Sequence, residues 1–182
     1  MQMLIVLVGP VCAGKTTLAL GLSTALEAEV VSAREVIRET LPGDDRADLQ
    51  ASGRELERRT GGHWLSEAAA RIGDRPAIVD AARTAAQVQA LVNMPRQVHT
   101  IYLAASEQSC RRRFQTRDDP ADSFQSFDQL IAGELPLRRE LREMTDLVVE
   151  TDGLGVKEVR DVVLRYLATG GQVEGKSPVP SN

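Results

Sequence analysis

Aromatic side chains are scarce, with three Phe, two Tyr and one Trp in 182 residues, so a core has to be assembled from Leu, Val, Ile and Ala. Cysteine is scarcer still. Cys12 and Cys110 stand in unrelated contexts without metal-ligand spacing, which excludes a zinc motif and a disulfide framework and fits a reducing cytoplasm. Basic charge is in deficit as well. With 22 Lys and Arg against 26 Asp and Glu, the net charge of -4 provides no general field for nucleic acid or an anionic membrane. Any polyanion has to be met by a local basic patch. The opening apolar run, Met3–Val8, is too short for a signal segment or a membrane span and reads as a buried strand. No internal repeat interrupts the chain.

What is present is ordinary globular material. Hydrophobic residues at 42% and charged residues at 26% exclude a largely disordered chain, and the length suits one domain. Short apolar runs at Met3–Val8, Glu29–Ser32, Pro76–Asp80, Val98–Leu103 and Asp146–Glu150 read as strands buried on both faces. Helical patterns lie between them. Lys15–Leu26 puts Leu18, Leu22 and Leu26 on one face, and Thr84 with Gln87 reads as a capping box opening Ala85–Val92. Alternating strands and helices predict a three-layer α/β/α fold, a five-stranded parallel sheet with helices on both faces. Residues 1–168 are expected to form that domain. Residues 33–73 make a helical excursion broken at Gly61-Gly62, residues 111–128 a short lid between two helices, and residues 169–182 a flexible Gly/Pro/Ser-rich tail.

The first chemistry-bearing stretch is GPVCAGKTTLA, Gly9–Ala19, which matches G-x-x-x-x-G-K-[ST] directly after a strand and at the head of a helix. The glycines let successive amides turn toward a phosphate, and the helix adds its positive end. The expected contacts are Gly9, Val11, Cys12, Ala13, Gly14, Lys15, Thr16 and Thr17. Lys15 brings a point charge to the β and γ oxygens, and the Thr16 hydroxyl a ligand for Mg²⁺. Asp80 ends a buried strand at the carboxyl edge of the sheet, where a carboxylate can hold the same ion through water. A guanine switch is disfavoured. The D-x-x-G stretch, Asp152–Gly155, follows the last strand, and N-K-x-D occurs nowhere.

Four further segments carry a resemblance. EVVSAREVIRET (Glu29–Thr40) resembles the S-x-G-D-x-x-R segment of P-loop nucleotide kinases, with Ser32, Glu35 and Arg38 in the matching positions and Arg34 in place of a glycine. PAIVDAARTAAQVQAL (Pro76–Leu91) is similar to a strand ending D-G-x-R, with Asp80 and Arg83 matched and Ala81 replacing glycine. SCRRRFQTRDDP (Ser109–Pro120) resembles an R-x-x-x-R lid entry, and TDLVVETDG (Thr145–Gly153) the strand that follows the lid helix. The likeness is greatest to the adenylate-kinase-like and dephospho-CoA-kinase-like group, including archaeal adenylate-kinase-like proteins.

The resemblance implies roles. Arg38 and Arg83 would contact the acceptor, with Arg34 beside them and Arg58 or Arg59 lining the pocket or forming a solvated charge run. Glu35 would be catalytic or simply a helix cap. Arg113 would stack on adenine, and Arg117 would reach the transferring phosphoryl group. Arg138, Arg139 and Arg142 would close on the phosphates or lie salt-bridged on a surface. His63, His99 and Trp64 read as structural. The expected function is ATP- and Mg²⁺-dependent phosphoryl transfer to a small molecule, a nucleoside monophosphate or related nucleotide. A hydroxyl acceptor such as dephospho-CoA or a nucleoside is the alternative, and an ATP-sensing regulator the alternative of another class. Neither a membrane nor a nucleic-acid partner is expected, and the oligomeric state is left open.

Overall fold

The computed structural model describes residues 3–40, 46–116 and 126–171. Strand β1, Met3–Val8, sets the architecture because it is buried on both faces. Its side chains alternate: Leu4, Val6 and Val8 enter one apolar layer, while Ile5 and Leu7 enter the other. Each of these five is fully buried, a gain of roughly 1.5–3 kcal/mol apiece that fixes the register, since a one-residue slip would exchange every side chain between layers.

Four more strands, β2 (Glu29–Ser32), β3 (Ala77–Asp80), β4 (Gln97–Ala104) and β5 (Leu147–Glu150), complete a sheet in the order β2-β3-β1-β4-β5. Every pairing is parallel. The expected strands are all present, three of them with ends displaced by one residue. Helices α1 (Lys15–Leu26) and α8 (Val156–Ala168) cover one face. Helices α4 (His63–Ala70), α5 (Ala85–Val92) and α7 (Phe127–Glu143) cover the other. The fold is thus the three-layer α/β/α arrangement the sequence pattern predicts.

Within the excursion, α2 (Ala33–Thr40), α3 (Arg46–Thr60) and α4 pack together, and the break at Gly61-Gly62 is real. Gly62 adopts φ +90°, and a Cβ there would meet the Ala86 backbone at 2.7 Å, so α4 approaches α5 more closely than any other residue permits. One carboxylate ties this wall together. Glu57 of α3 accepts hydrogen bonds from Trp64 Nε1, Thr84 Oγ1 and Gln87 Nε2, joining α3, α4 and the start of α5. Thr84 caps α5 as expected, its Oγ1 accepting from the Gln87 amide at 3.2 Å. The Gln87 side chain, however, serves the Arg83 amide rather than closing the box on Thr84.

Helix α6 is Glu107–Thr116. Half of the anticipated lid, residues 117–125 with Arg117, lies outside the described residues, as does the tail beyond Gly171. Helix α7 begins with a full capping box, Ser126 with Gln129, and contains Pro136, which removes one amide from the ladder.

Candidate active site

The sheet order reverses at β1: β3 and β2 lie to one side, β4 and β5 to the other. A crevice opens at the carboxyl ends of strands at such a switch point, and the Gly9–Lys15 loop occupies it. Gly9 has φ +138°, and a Cβ would stand 2.4 Å from the Leu103 carbonyl oxygen, so β4 allows only glycine there. Cys12 (φ 61°) and Gly14 (φ 99°) are also left-handed. These reversals turn the intervening amides into a concave anion nest, continued by the opening amides of α1, which have no intrahelical acceptor. Gly14 is the N-cap and makes no side-chain bond there, leaving the helix end to a ligand.

Lys15 is folded back under the loop. Its Nζ donates to Gly9 O at 2.7 Å and Pro10 O at 2.6 Å. Burial, and then the Arg83 cation, lower its pKa to about 8, against the opposing pull of Glu134, Asp80 and Cys110. Lys15, Asp80 and Arg83 therefore share one electrostatic neighbourhood, as the motifs imply. Asp80 sits at the end of β3 in register with Leu7 of β1 and Ser32 of β2. Asp80 is half-buried there, and Thr16 is exposed in the first turn of α1. No group of three or more His, Cys, Asp and Glu able to hold a metal is present among the described residues.

Arg113 is anchored between the loop and the last strand. Nη1 donates to Cys12 O at 3.3 Å and to Thr151 Oγ1 at 3.2 Å, while Nη2 donates to Thr151 O at 3.2 Å. It thus lies where β5 ends beside the loop. Asp152 of the D-x-x-G stretch caps α6 through the Ser106 amide at 2.9 Å, and these bonds hold its carboxyl below the usual range. Gly155 starts α8.

The acceptor-side candidates separate. Arg83 lines a cavity of about 30 Å³ beside Gly9, together with Tyr102, Glu134 and Arg138. Arg34 is half-buried at the start of α2, whereas Glu35 and Arg38 are exposed on it. The Glu35 amide donates to Ser32 Oγ at 3.4 Å, the cap that the spacing implies. Arg58 and Arg59 both pair with Glu55 on the exposed side of α3, which is the solvated charge run of the two alternatives. Among the α7 arginines, Arg139 is 90% exposed and pairs with Glu143, and Arg142 is 52% exposed and pairs with Glu150. Arg138 is 22% exposed, its Nη2 stands 4.0 Å from Glu134 Oε2, and its buried Nε and Nη2 have no hydrogen-bond acceptor among the described residues. It lines the small cavity beside Gly9, and Arg139 and Arg142 join it along the groove beyond. A wider groove of about 500 Å³ continues from it past Tyr102 to Ser106, Glu150 and Asp152.

Sequence reasoning missed Glu134 as a site residue. Its Oε2 accepts a hydrogen bond from the Val11 amide at 2.8 Å, across 123 residues of chain. Its i, i+4 relation to Arg138 on α7 was the available signal.

The family profile described as an AAA domain matches residues 4–132, which include the loop, Asp80, Arg83 and Arg113. The chain belongs to the AAA domain family. Similar solved structures have the same P-loop kinase fold. Shikimate kinase from Acinetobacter baumannii, in complex with shikimate, is 21% identical with a TM-score of 0.68, over 92% of this chain and 93% of that one. The Mycobacterium tuberculosis APS kinase, in complex with AMPPNP and APS, is 20% identical with a TM-score of 0.61, over 91% and 97%. Deoxyadenosine kinase from M. mycoides, with bound dCTP, is 14% identical with a TM-score of 0.59, over 92% and 100%. No curated protein matches this AAA domain. Among its described residues no helix is long and apolar enough to cross a membrane.

Proposed function

We propose that this AAA domain is an ATP- and Mg²⁺-dependent phosphotransferase acting on a small anionic acceptor, a nucleoside monophosphate or a related nucleotide. The observation that carries this reading is the convergence of Lys15, Arg83 and the largely buried guanidinium of Arg138 on the mouth of the Gly9–Gly14 loop. Phosphoryl transfer asks a protein for positioning and charge stabilisation rather than a covalent nucleophile, and such a cluster supplies both. A sensor needs only the loop. Arginines placed at the transferring end are worth about 10³–10⁵ in rate in P-loop enzymes, which favours transfer over sensing.

In this scheme the loop amides and Lys15 hold the donor phosphates. Thr16 and Asp80 hold Mg²⁺, which when bound draws charge from the β and γ oxygens. Arg113 faces the base of the nucleotide, while Arg83 and Arg138 orient the acceptor and neutralise the group in transit. A monophosphate acceptor is already ionised and needs no base. A hydroxyl acceptor does, and the exposed Glu35 carboxylate, one turn beyond Ser32 at the end of β2, favours that second reading. The relatives named for shikimate and deoxyadenosine have acceptors bearing hydroxyls, in keeping with it. The test is a panel of ribo- and deoxynucleoside monophosphates, nucleosides, dephospho-CoA and small polyols with ATP and Mg²⁺. ADP and a new phosphorylated product are expected with one chemical class, and no turnover with any of them refutes the kinase reading.

A further inference from the structure

The Gly9–Gly14 loop is built to bind an anion, and it already holds one. The Val11 amide, between the positive φ angles of Gly9 and Cys12, donates to Oε2 of Glu134 on α7 at 2.8 Å. The same carboxylate lines the small cavity between Gly9 and Arg83. Its side chain is 25% exposed, so it is partly desolvated as well as bonded. One turn along α7, Arg138 would be its natural partner, yet the two stand 4.0 Å apart, and the buried Nε and Nη2 of Arg138 find no acceptor. The Glu134 carboxylate thus offers the loop amide the kind of anionic oxygen that a phosphate would bring.

We propose that Glu134 is an internal competitor for the phosphate loop, a carboxylate that occupies the Val11 amide in the empty site and is displaced when the phosphates of the donor nucleotide enter. It rests on the reading that the loop binds a nucleotide. Once displaced, Glu134 is free to close on Arg138, and the pair then lies beside the transferring group. Donor entry is thereby linked to the position of α7, and Glu134 sets how much negative charge an entering ligand must bring to take the loop.

Glu134→Gln keeps the shape and removes the charge. Calorimetric titration with a non-hydrolysable ATP analogue and Mg²⁺ at pH 7 is expected to show about tenfold tighter binding by E134Q than by the unaltered protein, the scale of one charge-assisted hydrogen bond. The Val11 amide resonance should differ between the two empty proteins and converge when both are saturated. Equal or weaker analogue binding by E134Q overturns the competitor while leaving the nucleotide-binding reading intact. Failure of both proteins to bind removes both. Should E134Q not fold, the unaltered protein decides: its Val11 amide and Glu134 carboxyl resonances must both shift on saturation, and unmoved resonances overturn the proposal.

Discussion

Lys15 is the residue whose chemistry the fold alters most. In the empty protein its amine titrates at about 8 against an ordinary 10.5, because burial beneath the loop and the Arg83 charge oppose the cation. Bound phosphates favour the ammonium, so binding takes up a proton wherever the empty site has lost one. Donor affinity should therefore be level up to about pH 8 and weaken above it, by as much as about tenfold per pH unit. Calorimetry with the ATP analogue between pH 7 and 9.5 measures this, and Lys15→Met should bind poorly and lose the slope. The sign for folding is the reverse. Between pH 8 and 10.5 the unfolded chain carries the extra proton, so stability rises with pH across that window.

At the scale of elements, α7 combines what a single pattern conceals. Arg138 and Arg139 are adjacent in sequence, yet one is largely buried by the loop with buried nitrogens lacking acceptors, and the other is nine-tenths exposed and paired with Glu143. An exposed ion pair contributes little, whereas a cation held in a desolvated cleft opposite a developing charge contributes several kcal/mol. Arg138→Ala is therefore expected to lower kcat about 10²-fold with whichever acceptor the panel identifies, and Arg139→Ala to leave it within about twofold. Steady-state kinetics of both variants checks the contrast, and equal effects would place the transferring group elsewhere.

At the scale of the whole molecule, the architecture was legible because its causes are local. The central strands β1, β3 and most of β4 are runs with both faces buried, which the apolar pattern shows directly, whereas the edge strands β2 and β5 bury only Val31 and Val149. The donor half of the site was legible for a similar reason, since Gly9, Gly14, Lys15 and Thr16 lie within eight residues whose backbone geometry their types dictate. The acceptor half was not. Which of Arg34, Arg38, Arg59, Arg83 and Arg138 enters the cleft depends on how α2, α3, α5 and α7 pack, and nothing in the spacing of Arg59 reveals that Glu55 holds it. Glu134 was invisible for the same reason, its partner being a backbone amide at the far end of the chain.

The Glu57 carboxylate bears on how the acceptor side opens. By gathering Trp64, Thr84 and Gln87, it makes the end of α3, α4 and the head of α5 a single cooperative unit for sub-global unfolding. Removing it leaves three donors to find water, at about 1–3 kcal/mol each where they stay buried. Hydrogen exchange followed by mass spectrometry should show Glu57→Ala accelerating α3, α4 and α5 together while α1 and α8 keep their protection. Exchange rising in α3 alone would mean that the three helices breathe independently.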